Sequence, residues 1–336
     1  MTRQFLQNEY GLNVGKAISI NGYKAFHDGR NMYVLFPVLE SQQEEIVERF
    51  SMVHHMHLMR EKYVPFFQLT KRNTYISHSG DQFFVLLRLE EIGNKRNLHI
   101  GTELAQFHLR GMSMAYPIRH LNRLGKWKEL WEARLQQLET LWRDKLNKRP
   151  KKPFEKSFIE SFPYYSGFIE NAIQYFVDAS IDDHPNRFDR GTITHERFTF
   201  ETWSVPFHWK NPFDWVIDHP SRDLAEWVRY QFFYNFEPYQ VDLRSFFMNY
   251  QSVVPLSTFS WRLLISRLLF PIHFIECVEM YFSTKSEVVK GMMEHRLKRM
   301  LEKTGDYERF LVELFEIAKF QLKSDDLIVL DWLKGR

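Results

Sequence analysis

Segments typical of β-strands are concentrated in the first ninety residues of this chain, whereas the residues after Gly93 mostly show the apolar spacing of amphipathic helices. One early segment, Ser41–Glu61, also reads as a helix, because Ser41 can cap it and Glu44 follows three residues later. The predicted strands are Ala17–Phe26, Met32–Val38, Phe66–Ser77 and Gln82–Leu89. This change of pattern predicts an α+β protein with a small β-rich lobe, residues 1–92, that contains one helix, and a large, mainly helical lobe, residues 93–336.

The larger predicted lobe is a series of helices interrupted by one region of strands and loops. That region, Gly191–Asp218, is rich in Trp, Pro and Thr. The predicted helices, some of which we expect to be broken in two, are Leu98–Met112, Lys126–Asn147, Phe154–Ser180, Asp223–Phe233, Val241–Tyr250, Ser257–Tyr281 and Ser283–Gln321. The sequence contains no internal repeat, which excludes repeat architectures.

Composition excludes several classes of protein. The 31 Phe, 15 Tyr and 9 Trp residues can fill a hydrophobic core, and 45 basic minus 42 acidic residues leave a net charge of +3, so nucleic-acid binding is not expected. The single cysteine, Cys277, excludes an internal disulfide and fits a reducing compartment. The most apolar stretch, Trp261–Val278, contains Arg262, Arg267 and Glu276, so we expect buried helices there and no membrane span.

Several motifs, in one order along the chain, resemble those of aminoglycoside-phosphotransferase-like kinases. Leu104-Ala105-Gln106-Phe107-His108 is similar to the helix that opens the large lobe in that superfamily. His195, Asp218 and the run Asp223-Leu224-Ala225 follow in the order of its catalytic loop, its metal-binding strand and its next helix. The resemblance implies a two-lobed, protein-kinase-like fold.

Three further segments narrow the resemblance to one group within that superfamily. The hairpin Gly22–Phe26 and the aromatic run Pro163-Tyr164-Tyr165 resemble spore-coat proteins of the CotS-like type. The run Trp215–Trp227 is most similar to the YutH branch of that group. Together the matching segments extend over nearly the whole chain.

Phosphoryl transfer on this fold requires a lysine on the phosphates, a carboxylate at the acceptor hydroxyl and oxygen ligands for magnesium. The family pattern places the lysine on the strand Met32–Val38, where this sequence has Phe36. A phenyl ring cannot neutralise a phosphate, and Lys24 on the preceding strand could substitute only if its side chain points into the cleft. One of the helix glutamates Glu44, Glu45 and Glu48 would have paired with that lysine. Without the lysine, we expect all three on a solvated helix face.

The expected catalytic loop is altered as well. Where the family reads His-x-Asp with an Asn further along, this sequence has His195-Glu196-Arg197 and then Thr202. Arg197 stands at the position of the catalytic carboxylate, and a permanently protonated guanidinium cannot accept a hydroxyl proton. Thr202 offers a hydroxyl where an amide would bind magnesium. Glu196 remains as a substitute base, although on an extended loop its side chain is expected to turn the other way.

The resemblance retains two aspartates. Asp218 stands at the position of the metal-binding aspartate, but one carboxylate makes a poor magnesium site, so we interpret it as vestigial and expect no metal or nucleotide cofactor. Asp223 matches the superfamily's structural aspartate, which would cap the following helix and hydrogen-bond the catalytic loop. We expect Arg197 to pair with Asp218 or a neighbouring carboxylate and so to replace the charge of the metal.

Other residues give weaker signals. Asn21-Gly22 predicts a turn, and no glycine-rich phosphate loop is present. His54 and His57 share a helix face, but without further ligands we interpret them as structural or surface residues. Three tryptophans near the altered loop could either fill the cleft or face a partner; they are Trp203, Trp209 and Trp215.

These observations predict a catalytically inactive kinase-like protein, a pseudokinase. The resemblance implies a structural or assembly role in the spore coat during sporulation, with other spore-coat proteins as partners, synthesis in the mother-cell cytoplasm and deposition in the coat. Two alternatives stay open: an atypical active small-molecule or protein kinase that uses ATP with Glu196 and Asp218, and a regulatory module that binds a nucleotide without turnover. A lysine directed at Asp218 would favour the kinase, whereas aromatic side chains in the adenine site would favour the scaffold.

Overall fold

The computed structural model describes residues 3–90, 99–148, 152–204, 209–234, 239–322 and 330–333. The chain forms two compact units, each built from three segments. The first unit consists of Met1–Arg123, Gly191–Asp223 and Ser245–Val254, and the second of Leu124–Arg190, Leu224–Arg244 and Pro255–Arg336. The predicted boundary between residues 92 and 93 lies outside the described residues and stays a prediction.

The first unit contains an antiparallel sheet, as predicted. Its strands are β1 (Ile18–Ile20), β2 (Tyr23–His27), β3 (Met32–Val38), β4 (Phe66–Gln68), β5 (Ile76–Ser79) and β6 (Gln82–Leu89), in the order β1-β2-β3-β6-β4 with β5 also paired to β6. The turn between β1 and β2 is Asn21-Gly22, with φ of 48° and 80°, which is the tight hairpin turn that the sequence predicts. The single strand expected over Phe66–Ser77 is two strands, because residues 69–75 form a turn in which Asn73 has a φ of 61°.

Two helices cover this sheet. Helix α1 (Arg3–Tyr10), which is not among the predicted elements, buries Leu6 and Tyr10 in a core with Phe26, Leu35 and Leu86. Helix α2 (Gln43–Leu58) contacts the other face. The expectation that Ser41 caps α2 is wrong, since Ser41 lies in a short 3₁₀ turn and the capping position is Gln42.

A second, two-stranded sheet belongs to the same unit. Helix α3 (Ile100–Gly111) contacts strand β7 (Thr192–His195), which pairs antiparallel with β8 (Trp215–Asp218). A side chain at Gly111 would come within 2.4 Å of the Thr192 hydroxyl oxygen, so the close approach of α3 and β7 requires glycine there. A short helix, α6 (Phe200–Ser204), follows β7.

The remaining elements are helices, mostly in the second unit. They are α4 (Trp127–Asn147), α5 (Pro153–Asp182), α7 (Ser221–Tyr234), α8 (Tyr239–Gln251), α9 (Thr258–Leu269), α10 (Ile272–Ser283), α11 (Glu287–Glu302) and α12 (Thr304–Leu322). The predicted helix Ser257–Tyr281 is broken at Pro271, and the predicted helix Ser283–Gln321 is broken at Lys303. Among the described residues, no helix combines the length and apolarity needed to cross a bilayer. The α+β class predicted from the sequence is confirmed.

Candidate functional site

The residues singled out from the motifs come together where β7, β8 and the first turn of α7 meet. His195 ends β7, Asp218 ends β8, and Asp223 lies in the first turn of α7. All three side chains are fully buried. Burial of two carboxylates in one region requires that each has its own hydrogen-bond donors or counter-charge.

Asp223 is held by donors from two other elements. Its Oδ1 accepts the backbone N–H of His195 at 2.9 Å, and its Oδ2 accepts hydrogen bonds from His195 Nδ1 at 2.7 Å and His108 Nε2 at 3.0 Å. Burial alone would raise the pKa of Asp223, but the contacts with His195 and His108 outweigh it and lower the pKa to about 2. Asp223 is therefore an ionised carboxylate that joins α3, β7 and α7.

The hydrogen-bond partner of the second ring nitrogen determines the tautomer of each histidine. His195 Nε2 lies 3.1 Å from Trp203 Nε1, which can only donate, so His195 carries its proton on Nδ1 and is neutral. His108 Nδ1 lies 2.8 Å from the Tyr250 hydroxyl. Burial lowers the pKa of His108 and raises that of Tyr250 well above its usual value, so the hydroxyl donates to a neutral ring. In this arrangement both histidines position the loop.

Asp218 is held in a different way, by a guanidinium group. Arg222 Nη1 lies 2.8 Å from Asp218 Oδ2, while Arg222 Nε donates to the carbonyl oxygen of His195 at 2.9 Å. The third nitrogen, Nη2, lies 2.7 Å from Glu196 Oε2. Asp218 Oδ1 accepts the backbone N–H of His219 at 2.8 Å. Because Arg222 is only 8% exposed and Asp218 is fully buried, this is a largely desolvated ion pair.

Arg222 is the functional residue that the sequence reading missed. The sequence predicts that Arg197 supplies the positive charge beside the Asp218 carboxylate. Arg197 is partly buried, and its pairing with Asp218 stays a prediction. The available signal was the spacing of Asp218 and Arg222, which are four residues apart where a strand passes into a helix. That spacing lets an arginine in the first helical turn reach back to the end of the strand.

Glu196 and Thr202 both have local partners. Glu196 Oε2 pairs with Arg222, and Arg123 Nη2 lies 3.6 Å from Glu196 Oε1. The Thr202 hydroxyl accepts the backbone N–H of Thr199 at 2.9 Å and donates to the carbonyl oxygen of Arg197 at 3.1 Å. These contacts close the loop between β7 and α6.

The position expected for the phosphate-binding lysine lies inside an aromatic stack. Phe36 is 1% exposed and its ring stacks on Phe213, with centroids 4.4 Å apart and planes 8° apart. The Tyr23 ring lies 4.2 Å away on the neighbouring strand. Lys24 pairs with Leu35 in the sheet register, so it lies on the face opposite Phe36, and it is exposed. Lys24 therefore does not take the place of the missing lysine.

The acidic residues of α2 were expected to be exposed to solvent, but not all of them are. Glu44 is exposed, but Glu48 is buried and accepts three backbone N–H groups, from Arg119 at 2.7 Å, His120 at 3.0 Å and Leu121 at 2.9 Å. The next residue, Arg49, is also buried. Its Nη1 donates to the carbonyl oxygens of Pro212 at 2.7 Å and Trp215 at 3.1 Å. The expectation was wrong for Glu48, because a loop folded over it supplies donors that sequence spacing does not reveal.

The weaker sequence signals also have structural partners. His57 stacks on Phe66 with centroids 3.9 Å apart, and His54 stacks on Phe50. In the described part of the chain, no group of three or more His, Cys, Asp or Glu residues is arranged to hold a metal ion. The three tryptophans near the altered loop are buried, which favours packing inside the protein over contact with a partner; they are Trp203, Trp209 and Trp215.

The residues present do not fit ATP with magnesium, the group that this kind of fold implies. Asp218 is already neutralised by Arg222, and the Thr202 hydroxyl is used within its own loop. Phe36 and its aromatic neighbours offer no charge to a phosphate. A magnesium ion needs several free oxygen ligands, and this arrangement supplies a cation of its own instead.

Comparisons of the sequence find one family along almost the entire chain. Residues 3–314 match the model of the family described as "Spore coat putative kinase YutH". The endospore coat-associated protein YutH of Bacillus subtilis (strain 168) is 36% identical over 334 residues, which cover 99% of this chain and 98% of that protein.

Comparisons of the structure find phosphotransferases with low sequence identity. An aminoglycoside phosphotransferase from Alicyclobacillus acidocaldarius superposes with a TM-score of 0.72 at 14% identity, over 95% of this chain and 97% of that one. A spectinomycin phosphotransferase, solved with ADP and spectinomycin, gives a TM-score of 0.58 at 13% identity, over 94% and 97% of the two chains. These similarities confirm the predicted aminoglycoside-phosphotransferase-like, protein-kinase-like fold.

Proposed function

Because this chain belongs to the YutH family of spore coat proteins, we propose that it is a non-catalytic, kinase-like protein that acts in spore-coat assembly through contacts with other coat proteins. We further propose that it is made in the mother-cell cytoplasm and deposited in the coat. The main support for a non-catalytic role is the bond between Arg222 and Asp218.

The positive charge beside Asp218 is supplied by the side chain of Arg222. In a phosphotransferase the cation at this aspartate is a metal that bridges the phosphates. Here the cation is covalently part of the chain, and the same guanidinium also bonds the backbone of the loop at His195. A nucleotide would have to displace it and break its bonds to Asp218 and Glu196. The aromatic stack around Phe36 removes the second source of phosphate binding.

Thermal unfolding with and without magnesium and ATP tests this proposal. A ligand at 100 times its dissociation constant adds about 2.7 kcal/mol of stability, which raises the midpoint by several degrees. We expect no shift for this protein and a clear shift for an aminoglycoside phosphotransferase measured beside it. A shift without phosphate release would support the nucleotide-binding module instead. Turnover that is lost in Asp218→Asn would establish the active kinase.

The assembly role has a separate test. A fluorescent fusion produced in a sporulating host should collect at the forespore surface, and Glu196→Gln should not change this pattern. Glu196 is the one carboxylate proposed as a substitute base, so dependence on its charge would connect localisation to catalysis. A fusion that stays diffuse throughout sporulation would contradict the coat assignment whatever the thermal data show.

A further inference from the structure

The outer face of helix α11 carries exposed apolar residues. Val288 is 75% exposed and Met292, one turn further on, is 61% exposed. Leu297 and Met300 are buried on the opposite side of the helix, so the orientation of α11 is fixed and the outer face is not part of the core. These two large apolar side chains, exposed on the same face, form a small apolar patch on the helix.

The same stripe continues as a basic surface. His295 and Arg299 follow Val288 and Met292 at helical spacing, with Arg296 and Lys298 beside them, and all four are exposed. Within the described residues, none of these four side chains forms an ion pair. Glu302 is the exposed carboxylate on this stripe, and Glu287 at the start of the helix pairs with Lys290 and Lys152.

Within the described part of the chain, the exposed cations of helix α4 are paired, unlike those of the α11 stripe. Three of them form ion pairs at i, i+4 spacing: Lys128 with Glu132, Arg143 with Glu139, and Lys148, which directly follows the helix, with Asp144. Like charges three or four residues apart destabilise a helix. The helix dipole offsets this for Arg299 in the last turn, but it does not account for the exposed Val288 and Met292. Among the described residues the four basic side chains of the α11 stripe form no ion pair, so they remain available to an oppositely charged partner.

We propose that this surface, formed by Val288, Met292, His295, Arg296, Lys298 and Arg299, binds an acidic segment of a partner protein that also carries an apolar side chain. Three cations and a histidine beside two apolar residues match carboxylates flanking an aliphatic anchor. The methionine can adapt its shape to such an anchor. A lipid surface fits less well, because the stripe has no aromatic residue and its apolar part is small.

The test uses the full chain and a fluorescein-labelled helical peptide made only of leucine and glutamate. Fluorescence anisotropy should show binding that weakens as salt is added. The variant R296E/K298E/R299E should bind on the order of 10–100-fold more weakly, since it removes three exposed charge pairs and adds repulsion. Val288→Ser with Met292→Ser should also weaken binding. The same peptide with lysine in place of glutamate should not bind.

The matched control is K16E/R30E/K62E, which changes the net charge equally at three exposed positions of the other unit. It should bind the peptide as the unchanged protein does, and circular dichroism should show all variants folded. Absence of peptide binding, or equal weakening in the control, overturns the proposal. So does binding to phosphatidylglycerol vesicles through α11 without peptide binding. The α11 variants should leave the response to ATP unchanged, so failure here is distinct from failure of the proposed function.

Discussion

Asp218 and Asp223 are five residues apart and both fully buried, yet they are stabilised by different means. Asp223 accepts hydrogen bonds from neutral groups, namely the rings of His108 and His195 and a backbone N–H. Asp218 is bound by the charged side chain of Arg222. The first carboxylate organises the backbone, whereas the second lies where the resemblance places a metal ligand and is neutralised from within the chain.

The two arrangements use separate donors, and this allows one to change while the other is kept. Asp223 needs only imidazole and backbone groups that belong to α3 and β7. Asp218 needs a positive charge, and the first turn of α7 supplies it. Arg222 also donates to the carbonyl oxygen of His195, so the internal cation adds support to the same loop that Asp223 holds. A change in the charges around Asp218 therefore does not entail the loss of the loop's structure.

Removing the guanidinium should have the largest effect on this pair of sites. Arg222→Met removes the guanidinium that pairs with the buried Asp218 carboxylate and is expected to cost about 3–5 kcal/mol in the free energy of unfolding, measured with urea at neutral pH. The double variant Asp218→Asn with Arg222→Met should recover much of that loss, since it removes both charges. A loss below about 1 kcal/mol in the single variant would mean that the pair is solvated.

Acid should lower the free energy of unfolding through Asp223 and its neighbour His108. The lowered pKa of Asp223, about 2, means that it stabilises the fold above about pH 4 and that this contribution, roughly 2 kcal/mol, is lost as the pH falls towards 2. His108 has a pKa below its usual value because it is buried, so below about pH 6.5 the unfolded chain takes up the proton first. Its contribution also decreases as the pH falls, by up to about 1.4 kcal/mol per pH unit.

Urea midpoints between neutral and acidic pH measure both contributions. His108→Gln should flatten the part of the profile just below pH 6.5, and Asp223→Asn should flatten the part below about pH 4. Each variant serves as the control for the other. A profile of the unchanged protein that is flat from pH 7 to pH 5 would contradict a buried, neutral His108.

The smallest effect is expected at Phe36, where the resemblance places a lysine. Phe36→Leu removes the stack on Phe213 and should cost about 1–2 kcal/mol in the free energy of unfolding. Lys24→Ala, one strand away on the opposite face and exposed, should change it by less than about 0.5 kcal/mol. Neither variant should alter the thermal response to ATP. A large effect at Lys24 would show that it takes part in the site after all.

Local patterns in the chain were sufficient to predict the sheet, the Asn21-Gly22 turn, the α+β class and the position of Asp223 at the start of a helix. Such features depend on residues close in sequence, since a turn or a helix start is specified by a few neighbouring side chains. The resemblance singled out His108 in the helix that opens the large lobe and His195 in the catalytic loop, and the structure shows that both contact Asp223. That both rings are neutral and donate to one carboxylate could be inferred only from the positions of Trp203 and Tyr250 in the structure.

Side-chain direction and burial were decided only by packing between distant segments. Arg222 bonds both Asp218 and the His195 carbonyl oxygen, because α7 begins at Ser221, three residues after the end of β8. Glu48 is buried because residues 119–121 fold over it, and the register of β2 with β3 puts Lys24 on the face opposite Phe36. Each outcome depends on which backbone or charged groups come within about 3 Å, a distance set by the fold and not by spacing along the chain.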